Sequence, residues 1–173
     1  VVDPTRRHRM VRAKNHAAKM QGLKTGEAFW QAQQKCPDIV FLPPRFPLYQ
    51  QHSAAVREIF GRYTDQIEAF GLDECWLDVT GSQRLFGDGA SIARQIQKQV
   101  WQELGITLSV GVSFNKIIAK LGSDYRKPNG ITLLSREALP KSVWPLPVAR
   151  LLRVGPSLTP LLHSNGCTAL SPP

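Results

Sequence analysis

Residues 91–104, SIARQIQKQVWQEL, constrain the fold more than any other stretch. Ile92, Ile96, Val100 and Leu104 recur every fourth residue, with Ala93 and Trp101 beside them. That period predicts an amphipathic helix with one buried face, and Gly105 supplies its stop. ITLSVGVS at 106–113 is rich in β-branched residues and predicts a strand. Over 114–126, Phe114, Ile117, Ile118, Leu121 and Tyr125 form a second helical stripe, with Lys116 and Lys120 off it on the exposed face. KPNG at 127–130 is a turn, and ITLL at 131–134 a short strand. Alternating elements of this kind bury their apolar sides by packing helices on one face of a sheet, an α+β arrangement.

Upstream, two helices are expected around 14–21 and 27–35, with Thr25 placed to cap the second. DIVFL at 38–42 reads as a short buried strand and PPRFP at 43–47 as an extended connector. Residues 48–62 suit a helix with Val56, Ile59 and Phe60 on one side; 65–70 and 75–80 read as two strands. Gly81, Gly87 and Gly89 mark a loop. After Pro145 the character changes, and VARLLRVGPSLTPLLHSNG (148–166) reads as two short helices around a VGP turn.

Composition narrows the function. The 173 residues fit one domain or one domain with an appendage. Lysine and arginine total 22 against 13 acids, a formal charge of +9. A basic domain of this size meets a polyanion or simply carries a basic surface. No apolar run approaches the roughly 18 residues of a membrane span, and the first residues lack the apolar core of a signal peptide. The three cysteines lack metal-ligand spacing, so free thiols in a reducing compartment are expected. The chain opens on Val1-Val2-Asp3-Pro4 and closes on Ser171-Pro172-Pro173, which reads as a piece of something longer.

Three stretches carry candidate chemistry. In GLDECWLDVTG (71–81), Asp73 and Glu74 stand together at the junction of the two strands, flanked by Phe70, Leu72, Trp76 and Leu77. A hairpin tip is ordinarily polar and solvated; apolar flanks make this one unusual. Clustered carboxylates repel one another unless a cation neutralises them, and Mg²⁺ binds through one or two carboxylates together with substrate phosphates. Asp78 shares a strand face with Glu74 and Trp76, but about 3.3 Å per residue carries it away from the turn, so a structural role is expected for it. In SVGVSFNKIIAKLGSDYRKPNG (109–130) a strand enters a lysine-bearing helix that ends at Lys127. A lysine there can reach a phosphate or simply be solvated. In the third stretch, a tight glycine turn between short helices can offer backbone N–H groups to a phosphate, with Arg150 and Arg153 adding charge.

Taken in order, GLDECWLDVTG, SVGVSFNKIIAKLGSDYRKPNG and the helix-hairpin-helix closely resemble the Y-family translesion DNA polymerases, most nearly the bacterial polymerase IV-like branch. LKTGEAFWQAQQKCPDIVFLPPRFPLYQQHS (23–53) resembles that family's fingers and palm entry. The resemblance implies a ferredoxin-like polymerase palm lacking its first strand, small helical fingers, and a truncated thumb. The divisions would be 1–45 fingers, 46–141 palm and 142–173 the thumb's start.

It further implies that Asp73 and Glu74 are two of the three catalytic, metal-binding carboxylates. Asp73 would bridge two Mg²⁺ ions, and Glu74 would help hold the ion near the primer 3′-OH. Lys127 would contact the incoming dNTP. His16 and Lys19 fall where the family usually carries tyrosine and arginine against the triphosphate, and lysine lacks arginine's bidentate fork. Arg150, Arg153, Val154, Gly155 and Ser157 would grip the DNA backbone. The third carboxylate would lie in an acidic-aromatic motif that this sequence does not contain.

The function implied is template-directed nucleotidyl transfer to a primer 3′-OH in damage tolerance, in the bacterial cytoplasm. Primer-template DNA and dNTP would be the partners, with a sliding clamp engaged through a further C-terminal part. These residues alone would be nearly inactive. The alternative is a non-catalytic DNA-binding protein that uses the hairpin and basic surface. A nucleotidyl cyclase shares the palm-like sheet and two metals, but the thumb-like hairpin argues against it.

Overall fold

A computed structural model describes residues 10–171. The opening residues of the basic stretch that starts at 5, and the last two prolines, lie outside the described residues. The chain divides into two compact units, one up to Gln50 and one from Gln51 onward.

The first unit is small and helical. Helix α1 (His16–Met20) is capped by Asn15, whose side chain accepts from the Ala18 N–H. Helix α2 (Phe29–Lys35) follows a β-bridge between Met10 and Ala28. Thr25 does not cap it: its hydroxyl accepts from Lys14 Nζ at 2.9 Å, while Gln31 Oε1 accepts from the Ala28 N–H at 3.1 Å. Val11, Leu23, Ala32 and Cys36 form the core, with Phe29 stacked on Phe41 at 4.0 Å. DIVFL is not a strand. Ile39 and Phe41 pack inward, whereas Val40 and Leu42 are exposed. The alternation is strand-like, but the segment pairs with no neighbouring strand among the described residues.

Helix α3 (Phe46–Gly61) spans the boundary between the units. In the second unit, β1 (Ile67–Ala69) and β2 (Cys75–Leu77) form an antiparallel hairpin, with Glu68 opposite Trp76. The glycine-marked loop folds into a 3₁₀ turn at Thr80–Ser82 and a short helix α4 (Gln83–Phe86). Helix α5 (Gly89–Leu104) is capped by Asp88 and ends at Gly105 in the left-handed conformation. Strand β3 (Val110–Ser113), helix α6 (Lys116–Tyr125) and strand β4 (Ile131–Leu134) make a βαβ unit with β3 and β4 parallel, Val110 opposite Ile131. Helix α7 (Leu139–Ser142) and helix α8 (Leu158–Ser164) complete the described residues. Fold class is therefore mixed helix with small sheets, as the sequence predicts.

Two cores organise this unit. Ile59, Phe60 and Tyr63 meet Ile92, Ile96 and Val100 of α5, with Ile67, Cys75 and Leu77 of the hairpin packed against them. Full burial of Ile59, Ile92 and Val100 stabilises by about 2 kcal/mol each. A second core gathers Leu121, Leu134 and Val143, flanked by Ile118, Leu139, Leu146 and Leu170. The predicted α6 stripe is only half realised: Leu121 is buried, but Phe114, Ile117 and Tyr125 are each at least 40% exposed.

Helix α6 and strand β3 approach each other closely, backbone to backbone. A Cβ on Gly111 of β3 would stand 1.8 Å from the Ala119 carbonyl oxygen of α6, and one on Gly122 would meet the Gly111 Cα at 3.3 Å. The two glycines let α6 lie directly on the strand. Gly111→Ala must push α6 off β3, and we expect it to cost at least about 2 kcal/mol. Urea unfolding of the substituted and unsubstituted chains checks this; an unchanged midpoint would contradict the close approach.

Candidate active site

The β1–β2 hairpin answers why two acids sit inside an apolar stretch. Successive strand residues face opposite ways. Cys75 and Leu77 face the α5 core, while Glu74 and Trp76 point to the other side, as does Glu68 across the ladder. The turn is closed by the Phe70 N–H, which donates to the Glu74 carbonyl at 2.8 Å, and Gly71 takes the positive φ that the tight bend requires, +80°. From α3, the buried Ser53 hydroxyl donates to the Leu72 carbonyl. This anchors the residue just before Asp73, which is exposed at the tip.

Helix α6 lies against the outer face of this hairpin. Trp76 Nε1 donates to the Lys116 carbonyl at 3.1 Å, the Lys116 ammonium pairs with Glu68, and Lys120 Nζ lies 2.7 Å from Glu74 Oε1. The sequence reading puts Lys116 and Lys120 on an exposed face. Lys116 is exposed, but the Lys120 side chain is only 17% exposed, because the face off the apolar stripe is the one that meets the hairpin.

Beyond Lys120 the charges continue to alternate. Asp124 Oδ2 is 3.6 Å from Lys120, and its Oδ1 is 2.6 Å from Lys127 Nζ. Burial pulls the Lys120 ammonium down, but the hydrogen bond it donates to Glu74 and the charge of Asp124 outweigh it and leave its pKa raised. For Asp124, burial pushes up, yet the Lys127 hydrogen bond and the Lys120 charge hold it below the ordinary 3.8. Glu74 and Lys127, expected in different roles, are thus joined by a continuous line of ion pairs. Asp124 is not among the residues the sequence singles out, although its spacing signals the role: i+4 from Lys120 puts the two on one surface of α6, and Lys127 follows three residues later, just past the end of the helix. Asp78 is elsewhere; its carboxylate accepts from the Thr80 N–H at 2.9 Å, and hydrogen bonding from the Thr80 hydroxyl, with that N–H second, lowers its pKa.

His16 and Lys19 are exposed on α1 in the first unit, three residues apart and hence on one helix face. Around the VGP turn, the first of the expected two helices is only a 3₁₀ turn, Val148–Arg150, because Pro147 precedes it and an extended Leu151 ends it. Arg150, Arg153 and Ser157 are exposed, and Arg153 takes a left-handed φ of +70°. The Gly155 carbonyl accepts from the N–H groups of Leu158 and Thr159, opening α8. Val154, Gly155, Thr159 and His163 line a shallow recess.

The donors suit a hard cation in part. Carboxylate oxygen is the ligand Mg²⁺ favours, through one or two acids with phosphates completing the shell. Asp73 and Glu74 offer that pair, and among the described residues no group of three or more His, Cys, Asp or Glu converges on a metal position. No helix among the described residues is long and apolar enough to cross a membrane.

A family model described as the impB/mucB/samB family matches residues 1–124. The chain is 49% identical over 158 residues to a DNA polymerase IV of Acetivibrio thermocellus, covering 91% of this chain and 40% of the relative. It is 38% identical over 167 residues to DNA polymerase IV 2 of Halalkalibacterium halodurans, covering 95% and 41%. Among solved structures, an insertion ternary complex of Dbh DNA polymerase superposes with a TM-score of 0.88 at 29% identity, over 98% of this chain and 50% of that one. A Y-family DNA polymerase chimera superposes at 0.86 and 30% identity, over 95% and 48%. The chain spans about 40% of the length of the curated relatives it matches.

The Asp124 pairing sets a pH dependence. A carboxyl with a depressed folded-state pKa contributes stability that is fully present above its unfolded value and lost as pH falls through the folded value. The wild type is therefore expected to lose stability below about pH 4 that Asp124→Asn never had. In urea titrations, the gap between the two proteins should be full at neutral pH and shrink as pH falls below about 4. A gap that stayed constant would show that Asp124 does not titrate in its ion pairs.

Proposed function

The chain belongs to the impB/mucB/samB family, and on that premise we propose that it supplies the catalytic palm of a template-directed DNA polymerase. In this reading residues 1–45 are fingers, 46–141 palm and 142–173 the start of a thumb, and the protein works in the bacterial cytoplasm. The supporting observation is the line Glu74, Lys120, Asp124, Lys127, which joins one acid of the hairpin, by way of helix α6, to the lysine of the KPNG bend. The named polymerases among its relatives add to it.

Asp73 and Glu74 would hold Mg²⁺, which when bound stabilises the charge on the attacking and leaving oxygens of phosphoryl transfer. Asp73, exposed at the tip, would reach a dNTP phosphate–metal pair; Glu74, immediately before β2, would face the primer end. Lys127 would bind the triphosphate as a point charge, with His16 and Lys19 adding donors from the fingers. The hairpin from Arg150 to Ser157 would hold duplex backbone through charge and backbone N–H groups.

A chimera tests the assignment. Residues 1–173 replace the matching segment of the Acetivibrio thermocellus DNA polymerase IV. The chimera is expected to extend a primed template with Mg²⁺, and Asp73→Asn or Glu74→Gln to reduce the rate at least about a hundredfold. The 173 residues alone, gathering two acids, are expected to give no extension. A chimera indifferent to both substitutions would overturn the assignment and favour DNA binding without catalysis. In the chain alone, Arg153→Ala is expected to weaken duplex binding and lower the salt-dependence slope by about one, measured by fluorescence anisotropy.

A further inference from the structure

Lys120 is one ammonium claimed by two acids. Its Nζ is 2.7 Å from Glu74 and 3.6 Å from Asp124. Asp124 in turn is shared, because Lys127 holds its other oxygen at 2.6 Å. The closer partner of each is set by this sharing: with Lys127 on it, Asp124 exerts a weakened pull, and Lys120 settles on Glu74. Neither lysine is fixed by its stem, since the ammonium is a compact charge on a flexible chain. Lys120 is also 17% exposed, so leaving Glu74 for bulk water is disfavoured, whereas moving to Asp124 on the same helix surface keeps it paired.

A divalent cation on Glu74 and an ammonium 2.7 Å from the same carboxylate repel one another. Lys120 must therefore yield if Glu74 is to bind metal, and Asp124 is the acid that can receive it. We propose that Lys120 and Asp124 form an ionic relay: when Lys127 leaves Asp124 for a polyphosphate, Asp124 draws Lys120 off Glu74 and opens that carboxylate to a divalent cation. The relay rests on the functional reading above. It makes Lys120 and Asp124 positioning residues that couple engagement of a nucleotide's phosphates to metal affinity, with no bond made or broken. Such a coupling is reciprocal, so metal on Glu74 also frees Lys127 for phosphate.

The test uses Mn²⁺ alone, with no phosphate present to chelate it. Its affinity for the 173-residue chain is read by electron paramagnetic resonance of the free ion. Lys127→Met imitates departure of the Lys127 ammonium from Asp124. It is expected to tighten Mn²⁺ about fivefold. In an Asp124→Asn background, and again in a Lys120→Met background, the same substitution is expected to change affinity less than about twofold, because only screened through-space charge remains. An equal effect in all three backgrounds, or no effect in the first, overturns the relay. Lys127→Gln serves as a second substitution, and circular dichroism confirms that each protein is folded. Glu74→Gln separates the two levels. If it leaves Mn²⁺ binding untouched, the metal assignment falls and the relay with it. If it weakens binding while Lys127→Met acts independently of Asp124, the relay alone falls.

Discussion

The arrangement of the second unit depends on the approach of α6 to β3 at Gly111 and Gly122. With side chains at those positions the helix would ride higher on the strand, as the 1.8 Å clash with the Ala119 carbonyl requires. Held low, α6 lays one surface on the β3–β4 pair, where Leu121 and Leu134 meet. Another surface then faces the β1–β2 hairpin, where the Lys116 carbonyl accepts from Trp76 and the Lys120 ammonium donates to Glu74. Two ladders that share no backbone hydrogen bonds among the described residues are thereby brought together by one helix. The separation of charge from core follows from the same geometry, since the hairpin keeps Cys75 and Leu77 against α5 and turns its acids toward α6.

A lysine this enclosed needs explaining. Desolvation penalises an ammonium, and a single exposed ion pair contributes little against it. Two carboxylates change the balance: the net effect on Lys120 is a raised pKa despite its burial. The four charges from Glu74 to Lys127 sum to zero, so the line is internally neutralised. It also leaves Asp73, the tip acid, outside the chain of pairs and accessible.

Much of this was legible in the sequence because it follows from period and turn chemistry. The helix from 91 to 104, its Gly105 stop, the hairpin around Asp73 and Glu74, and the KPNG turn all stand where residue patterns put them. The misreadings come from partner choice. DIVFL has the alternation of a strand, but nothing in a single chain's sequence says whether another strand lies alongside. Thr25 has the chemistry of a cap, yet α2 begins later, at Phe29, and Thr25 binds Lys14 instead. Lys120 looked solvent-facing because helical periodicity separates apolar from polar surfaces, and it cannot show that a polar surface is covered by another charged element. Asp124 was readable from spacing alone, but its importance came only with Glu74 placed opposite.

The fixed and adjustable parts of the site are different kinds of structure. The backbone is pinned on every side: Leu72 by Ser53, the hairpin mouth by Phe70 and Glu74, and the KPNG bend by Gln97, whose amide donates to the carbonyls of Leu108 and Asn129 at 2.9 Å. Gly130 passes so near the Arg126 carbonyl that a Cβ would stand 2.0 Å from it. The relay needs only the ends of two lysine side chains to move. An exchange of ionic partners between Glu74 and Asp124 therefore requires rotation about side-chain bonds and no displacement of strand or helix, which fits motion on the timescale of rotamer changes rather than domain movement. In the proposed relay that division would keep the acids at fixed spacing while their neutralising charges are handed along the helix.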